Sequence, residues 1–522
     1  MNKSNFTLAA GALAAALSLG AAQTVAQPAT PAATPAAEPT VKGPESVADW
    51  NNAGNAFIAA GKALQDPPRR AKNVIIFIGD GMGIATQTAA RILEGQLKGK
   101  TGEENRLSFE TLPYSALSKT YSWDQQTSDS APTATAIFTG HKARDGMLSV
   151  NHTTARGECD AAQVDARALT TILELAAARG LTTGVVSTAR LTHATPGATY
   201  AHTAMRDWEA DSNIKPPGCT TRDIARQLIE LKPEVRNSLK VAMGGGRTYF
   251  LPKTDADPEY PSTQGRRNDG RNLTQEWVNT RGAGAAYVWN KAQFDAIDPA
   301  TSGAVLGLFE PSHMQYEADR ATDPAGEPSL TEMTDKAIRL LQKSGDKGYF
   351  LHVEAGRIDH AHHAGNARRA LEDTIELSNA VRRAMALTSE QDTLILVTAD
   401  HSHTFTIAGY PHRGNNILGL ARGVANVDGD PPRLSLDANG LPYTTLGYAN
   451  GPGYRGPQAR ANLSSVDTTA LNYLQEATVP LGSETHGGED VGIWARGPMA
   501  YLVRGSMEEN WIFHVMREAF GF

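Results

Sequence analysis

The chain has no excess of positive charge, few cysteines and, beyond its N-terminal region, no long apolar run. Its 522 residues carry 49 Lys and Arg against 56 Asp and Glu, which gives a formal net charge of −7. A nucleic-acid-binding protein needs a basic patch or stripe, so we expect no nucleic-acid partner. Two cysteines are too few for a disulfide-rich scaffold and lack zinc-finger spacing. The C-terminus has no hydrophobic tail, so we also expect no membrane anchor.

The remaining composition is that of a large globular protein. Forty per cent of the residues are hydrophobic and 20% are charged, which excludes a disordered chain. Length alone allows about three domains of roughly 150 residues, but large α/β sheets often run longer as one unit. The 14 histidines and 56 acids are notable, because these side chains are the usual ligands of divalent metal ions.

The N-terminal region has the pattern of a signal peptide. Lys3 precedes an apolar run from Leu8 to Leu19, which is shorter than the roughly 20 residues of a membrane span. We predict a signal peptide over residues 1–26 and an Ala/Pro/Thr-rich linker over residues 27–44. Export permits a disulfide, and we expect a bridge between Cys159 and Cys219, with two free buried thiols as the alternative.

Apolar strands alternate with helices through most of the chain, over residues 45–522. Strands are predicted over residues 73–79, 183–188, 349–354 and 393–400, and helices over residues 131–139, 168–179, 330–343 and 367–387. This alternation predicts an α/β fold with a large, mostly parallel central sheet and helices on both faces. Residues 409–481 are rich in Gly, Pro, Asn and Asp, which predicts an inserted, loop-rich subdomain.

Several polar residues lie where predicted strands end. Asp80, Glu354 and Asp400 lie at the carboxyl ends of three of the strands, which is where ligands collect in such sheets. His401 follows Asp400 directly, and a packing role rarely explains such a pair. Asp80 alone could equally be a turn residue that bonds its own backbone.

Ser130 stands at the start of a predicted helix, where the backbone N–H groups favour an anion. The ordinary explanation for such a serine is an N-cap. Asp359 and His363 are four residues apart, so they share one face of a helix and have metal-ligand spacing. His486 adds one more imidazole in a turn-like segment, a weak signal by itself.

Together these residues point to a hydrolase for phosphate or sulfate esters. The acids and imidazoles suffice for more than one metal ion, and two metals can clamp the attacking and leaving oxygens at phosphorus. A metal near Ser130 would lower the pKa of its hydroxyl and make it a nucleophile. A guanidinium would suit two phosphate oxygens.

These motifs closely resemble those of the alkaline phosphatases, from about residue 73 to the C-terminus. Residues 192–203, 307–311, 400–403 and 484–490 resemble the animal-type branch more than the enteric bacterial one. The resemblance implies a phosphomonoesterase with a phosphoserine on Ser130 and Arg206 on the phosphate. It implies zinc on Asp359, His363 and His486, a second zinc on Asp80, Asp400 and His401, and magnesium on Asp80, Thr195 and Glu354.

The resemblance also carries features of the animal-type branch. His193 and His360 stand where enteric-type enzymes have an acid and a lysine, which implies a more alkaline optimum and looser magnesium retention. A fourth, calcium-like site is implied at Glu259, Glu310 and the Phe309 carbonyl, completed by Glu327 or Asp323. The two cysteines match a disulfide of this branch. Residues 409–481 correspond to its crown domain, which implies a homodimer, and the enzyme would be secreted or periplasmic.

Three alternatives remain open at this point. A phosphodiesterase, sulfatase or phosphomutase shares the two-metal core, although Arg206, Thr195 and Glu354 favour monoesters. A non-catalytic periplasmic protein that binds metal or phosphate would be expected to lack the nucleophile or a ligand, and both are present. A structural surface protein has no supporting feature in the sequence.

Overall fold

The computed structural model describes residues 46–62, 69–215, 217–343, 347–456 and 460–522. The predicted signal peptide, residues 1–26, and the predicted linker, residues 27–44, lie outside the described residues. Among the described residues, no helix combines the length and apolar content needed to cross a membrane.

Seventeen strands are described, ten of which form one sheet. In chain order they are β1 (Asn73–Gly79), β2 (Tyr114–Lys119), β3 (Thr182–Arg190), β4 (Leu239–Gly245), β5 (Ala286–Val288), β6 (Val305–Leu308), β7 (Tyr349–Ala355), β8 (Thr393–Ala399), β9 (Ser402–His403), β10 (Phe405–Ile407), β11 (Arg422–Gly423), β12 (Arg433–Leu434), β13 (Leu446–Gly451), β14 (Ala477–Pro480), β15 (His486–Gly487), β16 (Val491–Arg496) and β17 (Ser506–Glu508).

The strand order of the large sheet is β17-β2-β16-β8-β1-β7-β3-β4-β6-β5. Every pair of neighbours is parallel except the two that involve β16. The prediction of a mostly parallel central sheet is therefore confirmed. The central strand β1 is a continuous apolar run that is buried on both sides, as expected for a strand covered on both faces.

The described helices are α1 (Val47–Lys62), α2 (Ile84–Leu97), α3 (Ser130–Thr139), α4 (Ala161–Asp165), α5 (Ile172–Ala178), α6 (Ala194–Gly197), α7 (Ile224–Ile229), α8 (Pro233–Ser238), α9 (Leu273–Thr280), α10 (Lys291–Ala296), α11 (Leu330–Gln342), α12 (Arg357–His363), α13 (Ala367–Leu387) and α14 (Trp511–Phe520). They cover both faces of the sheet. Val74, Ile76 and Ile78 of β1 pack into one core with α3, α5 and α14, whereas Ile75 and Phe77 pack into a second core with α2, α11 and α13.

The segment 409–481 contributes only short strands. β11 and β12 form a two-stranded sheet, and β10, β13 and β14 form a three-stranded one. That this segment is a crown-like subdomain stays a prediction. A disulfide joins Cys159 to Cys219, as predicted, with 5.0 Å between the two Cα atoms.

Candidate active site and metal centre

The carboxyl ends of the three central strands bring the predicted acids together. β1 pairs in parallel with both β7 and β8, and Gly79 is aligned with Ala355 and with Ala399. Asp80 and Asp400 follow their strands directly, and Glu354 lies near the end of β7. All three carboxylates are fully buried. Such burial is costly unless cations or hydrogen bonds compensate the charge.

Ser130 is the first residue of α3, and its hydroxyl points at this edge. The Ser130 Oγ donates to Asp80 Oδ1 at 3.3 Å and lies 3.0 Å from His401 Nε2. The N-cap of α3 is Asp129, whose carboxylate accepts from the Ala131 N–H. The N-cap explanation for Ser130 is therefore wrong, because its neighbour takes that role and leaves the Ser130 hydroxyl free for the buried site.

Asp359, His363 and His486 form the first candidate metal group. The Nε2 atoms of the two histidines lie 3.1 Å apart, and they are 3.3 Å and 3.4 Å from Asp359 Oδ1. Their Nδ1 atoms face backbone carbonyl oxygens, 2.6 Å from Glu484 O and 2.7 Å from Ser128 O. A carbonyl only accepts, so each Nδ1 carries the hydrogen and each neutral Nε2 is an acceptor.

Three acceptors thus converge on one point, which requires a proton or a cation between them. Histidines that bind a metal usually donate their other N–H to a carbonyl or carboxylate. One carboxylate and two imidazoles form a donor set that suits zinc. The group therefore fits a metal ion of that kind.

Asp80, Asp400 and His401 form the second group. His401 Nε2 lies 3.3 Å from Asp80 Oδ1 and 3.6 Å from Asp400 Oδ2, and one ligand atom of each residue lies within 4.8 Å of the others. Burial raises the pKa of Asp80 well above its usual value, and the charges of nearby carboxylates add to this effect. A bound cation would remove this penalty, so the group also fits a metal.

Asp80, Thr195 and Glu354 supply a third group, made only of oxygen atoms. Asp80 Oδ2, Thr195 Oγ1 and Glu354 Oε1 are buried and have no hydrogen-bond partner among the described residues. Buried polar atoms normally have partners. Burial raises the pKa of Glu354 to about 7, although the Ser187 hydroxyl donates to its other oxygen. Three orphaned hard oxygens fit an ion such as magnesium.

Arg206 lies beside Ser130 and is held from two sides. Its Nη1 donates to both carboxylate oxygens of Asp129 at 2.6 Å, and its Nη2 lies 2.8 Å from His193 Nε2. Burial would raise the pKa of Asp129, but the Arg206 charge outweighs it and lowers the pKa to about 2. The His360 ring packs against the His193 ring, with 5.3 Å between their centroids.

A separate carboxylate cluster comprises Glu259, Glu310, Asp323 and Glu327. One oxygen from each of Glu259, Glu310 and Asp323 lies within 4.8 Å of the others. Gln315 joins Glu327 to this group, because its side chain donates to Glu310 at 2.8 Å and its backbone N–H donates to Glu327 at 3.0 Å. Glu327 and Asp323 were the two alternatives for the last ligand, and the structure brings both to this cluster.

The charge of this cluster is compensated only in part, by Arg247 at Glu259 and by Gln315 at Glu310. Asp323 Oδ2 and Glu327 Oε2 are buried without a hydrogen-bond partner among the described residues. Burial raises the pKa of Glu310 to about 8, and burial with the charge of Glu310 raises that of Glu327 to about 9. Phe309 follows β6 and precedes Glu310. An all-oxygen donor set of this kind fits calcium.

His403 and Glu484 lie in the segments 400–403 and 484–490, but the sequence alone assigns no role to either. His403 Nε2 lies 2.8 Å from Asp359 Oδ1, and its Nδ1 lies 2.6 Å from Glu484 Oε2. Burial would lower the pKa of His403, but these two carboxylates outweigh it and raise the pKa to about 9. His403 therefore contributes a buried positive charge beside Asp359. Its position two residues after His401 was the signal that could have found it.

Comparisons with known proteins identify the family. The family model for alkaline phosphatase matches residues 71–522. The tissue-nonspecific alkaline phosphatase of Gallus gallus is 47% identical over 460 residues, which cover 86% of this chain and 84% of that protein. An alkaline phosphatase of Gadus morhua is 44% identical over 481 residues, with 90% and 96% covered.

The crystal structure of Thermus thermophilus alkaline phosphatase superposes with a TM-score of 0.60 at 24% identity. The match covers 88% of this chain and 94% of that one. At this identity the likeness shows the fold alone.

Proposed function

The chain belongs to the alkaline phosphatase family, and from this premise we propose that it hydrolyses phosphate monoesters through a phosphoserine on Ser130. The proposal includes two zinc ions and one magnesium ion at the active site, and release of inorganic phosphate from diverse monoesters at alkaline pH. One observation carries it: the Ser130 hydroxyl lies within 3.3 Å of both Asp80 and His401, which belong to groups that fit metal ions.

The catalytic cluster is the set of residues that would do this chemistry. One zinc would be held by Asp359, His363 and His486, the second zinc by Asp80, Asp400 and His401, and magnesium by Asp80, Thr195 and Glu354. When bound, the ions supply Lewis acidity, which lowers the pKa of the serine hydroxyl and of water and offsets phosphate charge.

The first step is an in-line displacement by Ser130. Its oxygen forms a bond to phosphorus as the bond to the ester oxygen breaks, and the alcohol leaves. Arg206 binds two non-bridging oxygens with its planar guanidinium, which Asp129 and His193 hold in place. In the second step, water attacks the phosphoserine and Ser130 leaves, so inorganic phosphate forms. Positioning and electrostatics supply most of the rate.

Ser130→Ala tests this proposal directly. We expect kcat to fall by about 10³-fold or more, since the nucleophile is lost, while the zinc content measured by mass spectrometry stays unchanged. Brief incubation of the wild-type enzyme with substrate followed by an acid quench should give phosphopeptides modified at Ser130. Near-full activity of the variant would contradict the mechanism.

A substrate panel separates the related reaction classes. We expect p-nitrophenyl phosphate to be hydrolysed faster than the corresponding diester or sulfate ester, because Arg206 and the third metal group suit a dianionic monoester. Faster turnover of the diester or the sulfate would favour a phosphodiesterase or a sulfatase instead.

We further propose that calcium occupies the carboxylate cluster, with the Phe309 carbonyl as an additional ligand. We also propose that the protein is exported, to the periplasm or outside the cell, and that residues 409–481 contribute to a homodimer. Large apolar side chains exposed in this segment support that interface, among them Tyr410, Val424 and Val427. Sedimentation of the purified protein tests it, and a monomer at assay concentrations would contradict it.

A further inference from the structure

Three imidazole rings form a closed triangle beside the Arg206 guanidinium. The ring centroids of His193 and His313 are 5.1 Å apart, those of His193 and His360 are 5.3 Å apart, and those of His313 and His360 are 4.0 Å apart. Each ring therefore contacts both of the others. His193 and His360 were selected from the sequence, but His313 was not.

Each ring receives an N–H from an arginine. His193 Nε2 accepts from Arg206 Nη2 at 2.8 Å, and His360 Nδ1 accepts from Arg357 Nη1 at 3.0 Å. His313 faces Arg190 with both nitrogens, the backbone N–H lying 3.1 Å from Nδ1 and Nη1 lying 2.5 Å from Nε2, and the neutral ring accepts from one of these two donors. Arginine donates only, and a neutral imidazole has one lone pair available for accepting. The lone pairs that a metal ion would need are therefore engaged, so the triangle holds arginines and does not form another metal site.

His313 is the ring with the most rigid support. Arg190, whose backbone N–H faces His313, forms a two-point ion pair with Glu209 at 2.7 Å and 2.8 Å. Arg190 Nη1 also donates to the Ser312 hydroxyl at 3.2 Å, and the Met314 N–H donates to the Thr188 carbonyl at 3.0 Å. Both neighbours of His313 are therefore bonded to the end of β3, Ser312 through its hydroxyl and Met314 through its backbone N–H.

His313 is linked to the Arg206 guanidinium through one residue, His193. His193 is one of the two side chains that hold Arg206, and His313 packs on the edge of the His193 ring. Without the His313 ring, both His193 and His360 could rotate into the space it leaves. Arg206 would then be fixed by Asp129 alone.

We propose that His313 is a positioning residue for phosphate binding: it closes the imidazole triangle that orients His193 and, through His193, the Arg206 guanidinium. The inference rests on the proposed function, because it takes Arg206 as the residue that binds the phosphate. It predicts a defect in phosphate affinity with little loss of the chemical step.

The experiment measures the inhibition constant of inorganic phosphate, with KM and kcat, for His313→Ala, Arg206→Ala and the double variant. We expect His313→Ala to raise the phosphate inhibition constant and KM by about tenfold, since small misplacements of a binding group are costly, and to lower kcat by no more than about twofold. Because His313 acts through Arg206, the double variant should bind phosphate no more weakly than Arg206→Ala alone.

His313→Phe keeps a ring in contact with the other two, so it should retain affinity closer to wild type than His313→Ala does. If the triangle instead bound a metal ion, the Phe variant would be as impaired as the Ala variant, and the inference would fall. His152→Ala is the matched control, because His152 also packs among aromatic rings, against Trp50 and Trp123. It should lose thermal stability without any change in phosphate affinity.

The outcomes distinguish a wrong role for Arg206 from a wrong role for His313. If Arg206→Ala leaves phosphate affinity unchanged, the role of Arg206 in the proposed function is wrong, and the inference falls with it. If Arg206→Ala weakens phosphate but His313→Ala does not, or if the two effects simply add, the role of Arg206 stands and only the inference is overturned.

Discussion

The catalytic cluster and the carboxylate cluster both gather buried acids, yet their neighbours differ. Around Asp80 and Asp400, histidines and Arg206 supply nitrogen donors and positive charge. Around Glu310 the ligand atoms are carboxylate oxygens, and Arg247, the cation that contacts Glu259, is also bound to Asp257. Imidazoles suit zinc and oxygens suit calcium. We therefore expect the same kind of buried charge to serve chemistry in one region and stability in the other.

The sharpest test of this contrast replaces one acid in each cluster by its amide. Asp80→Asn removes a ligand shared by two metal groups and a contact of the Ser130 hydroxyl, so we expect kcat to fall by about 10³-fold or more. Asp323→Asn is the matched variant in the carboxylate cluster and should keep kcat within about threefold of wild type, because Asp323 does not contact Ser130. Comparable losses of kcat in both variants would show that the two clusters are not separate in function.

A second test concerns His403, the buried histidine that lies between Asp359 and Glu484. Glu484 accepts from His403 at 2.6 Å and from the backbone N–H of Thr404 at 2.7 Å. Glu484→Gln removes its negative charge, so His403 should hold its proton less tightly and orient Asp359 less well. We expect about a 10- to 100-fold loss of activity or zinc affinity, as is usual for residues that support metal ligands.

The control for this test is Glu476→Gln. Glu476 is a partly exposed acid that pairs with Arg460 in the inserted segment. That variant should keep both activity and zinc affinity. An unchanged zinc affinity and turnover in Glu484→Gln would show that His403 does not need its partner to orient Asp359.

The sequence predicted best those strands and helices that have a continuous local pattern. Strand β1 and helix α13 were predicted with their observed limits, since each has a continuous local pattern: an apolar run in β1, and an apolar face that starts after the N-cap Asn366 in α13. Helix α5 is shorter than predicted. Its N-cap Thr171 forms a capping box with Glu174, a local signal that was missed.

The residues missed at the site depend on contacts that no local pattern contains. His403 meets Asp359, which is 44 positions away, and Glu484, which is 81 positions away. His313 reaches His360 only because β3 and β7 are neighbours in the sheet. Motifs at strand ends predicted which acids and imidazoles come together, but the residues that orient them are fixed by tertiary packing alone.

The smallest expected effect is on stability and concerns the carboxylate cluster. Burial raises the pKa of Glu310 from its ordinary 4.5 to about 8, and burial with the charge of Glu310 raises that of Glu327 to about 9. Without a cation, the folded protein therefore holds these protons where the unfolded chain has already released them. The free energy of unfolding of the metal-free protein should fall as the pH rises from about 4.5 to about 9, and this contribution should then level off.

Calcium should reverse this trend, because it binds the ionised carboxylates and only in the folded state. We expect the increase in Tm caused by calcium to grow between pH 6 and pH 9, as measured by thermal unfolding of chelator-treated protein with and without the ion. Glu327→Gln should shrink both the pH dependence and the calcium effect, while Ser130→Ala should leave both unchanged. A calcium effect that is the same at both pH values would mean that these carboxylates are already ionised in the metal-free fold. The carboxylate cluster would then not need a cation to carry its negative charge, and this contrast with the catalytic cluster would be lost.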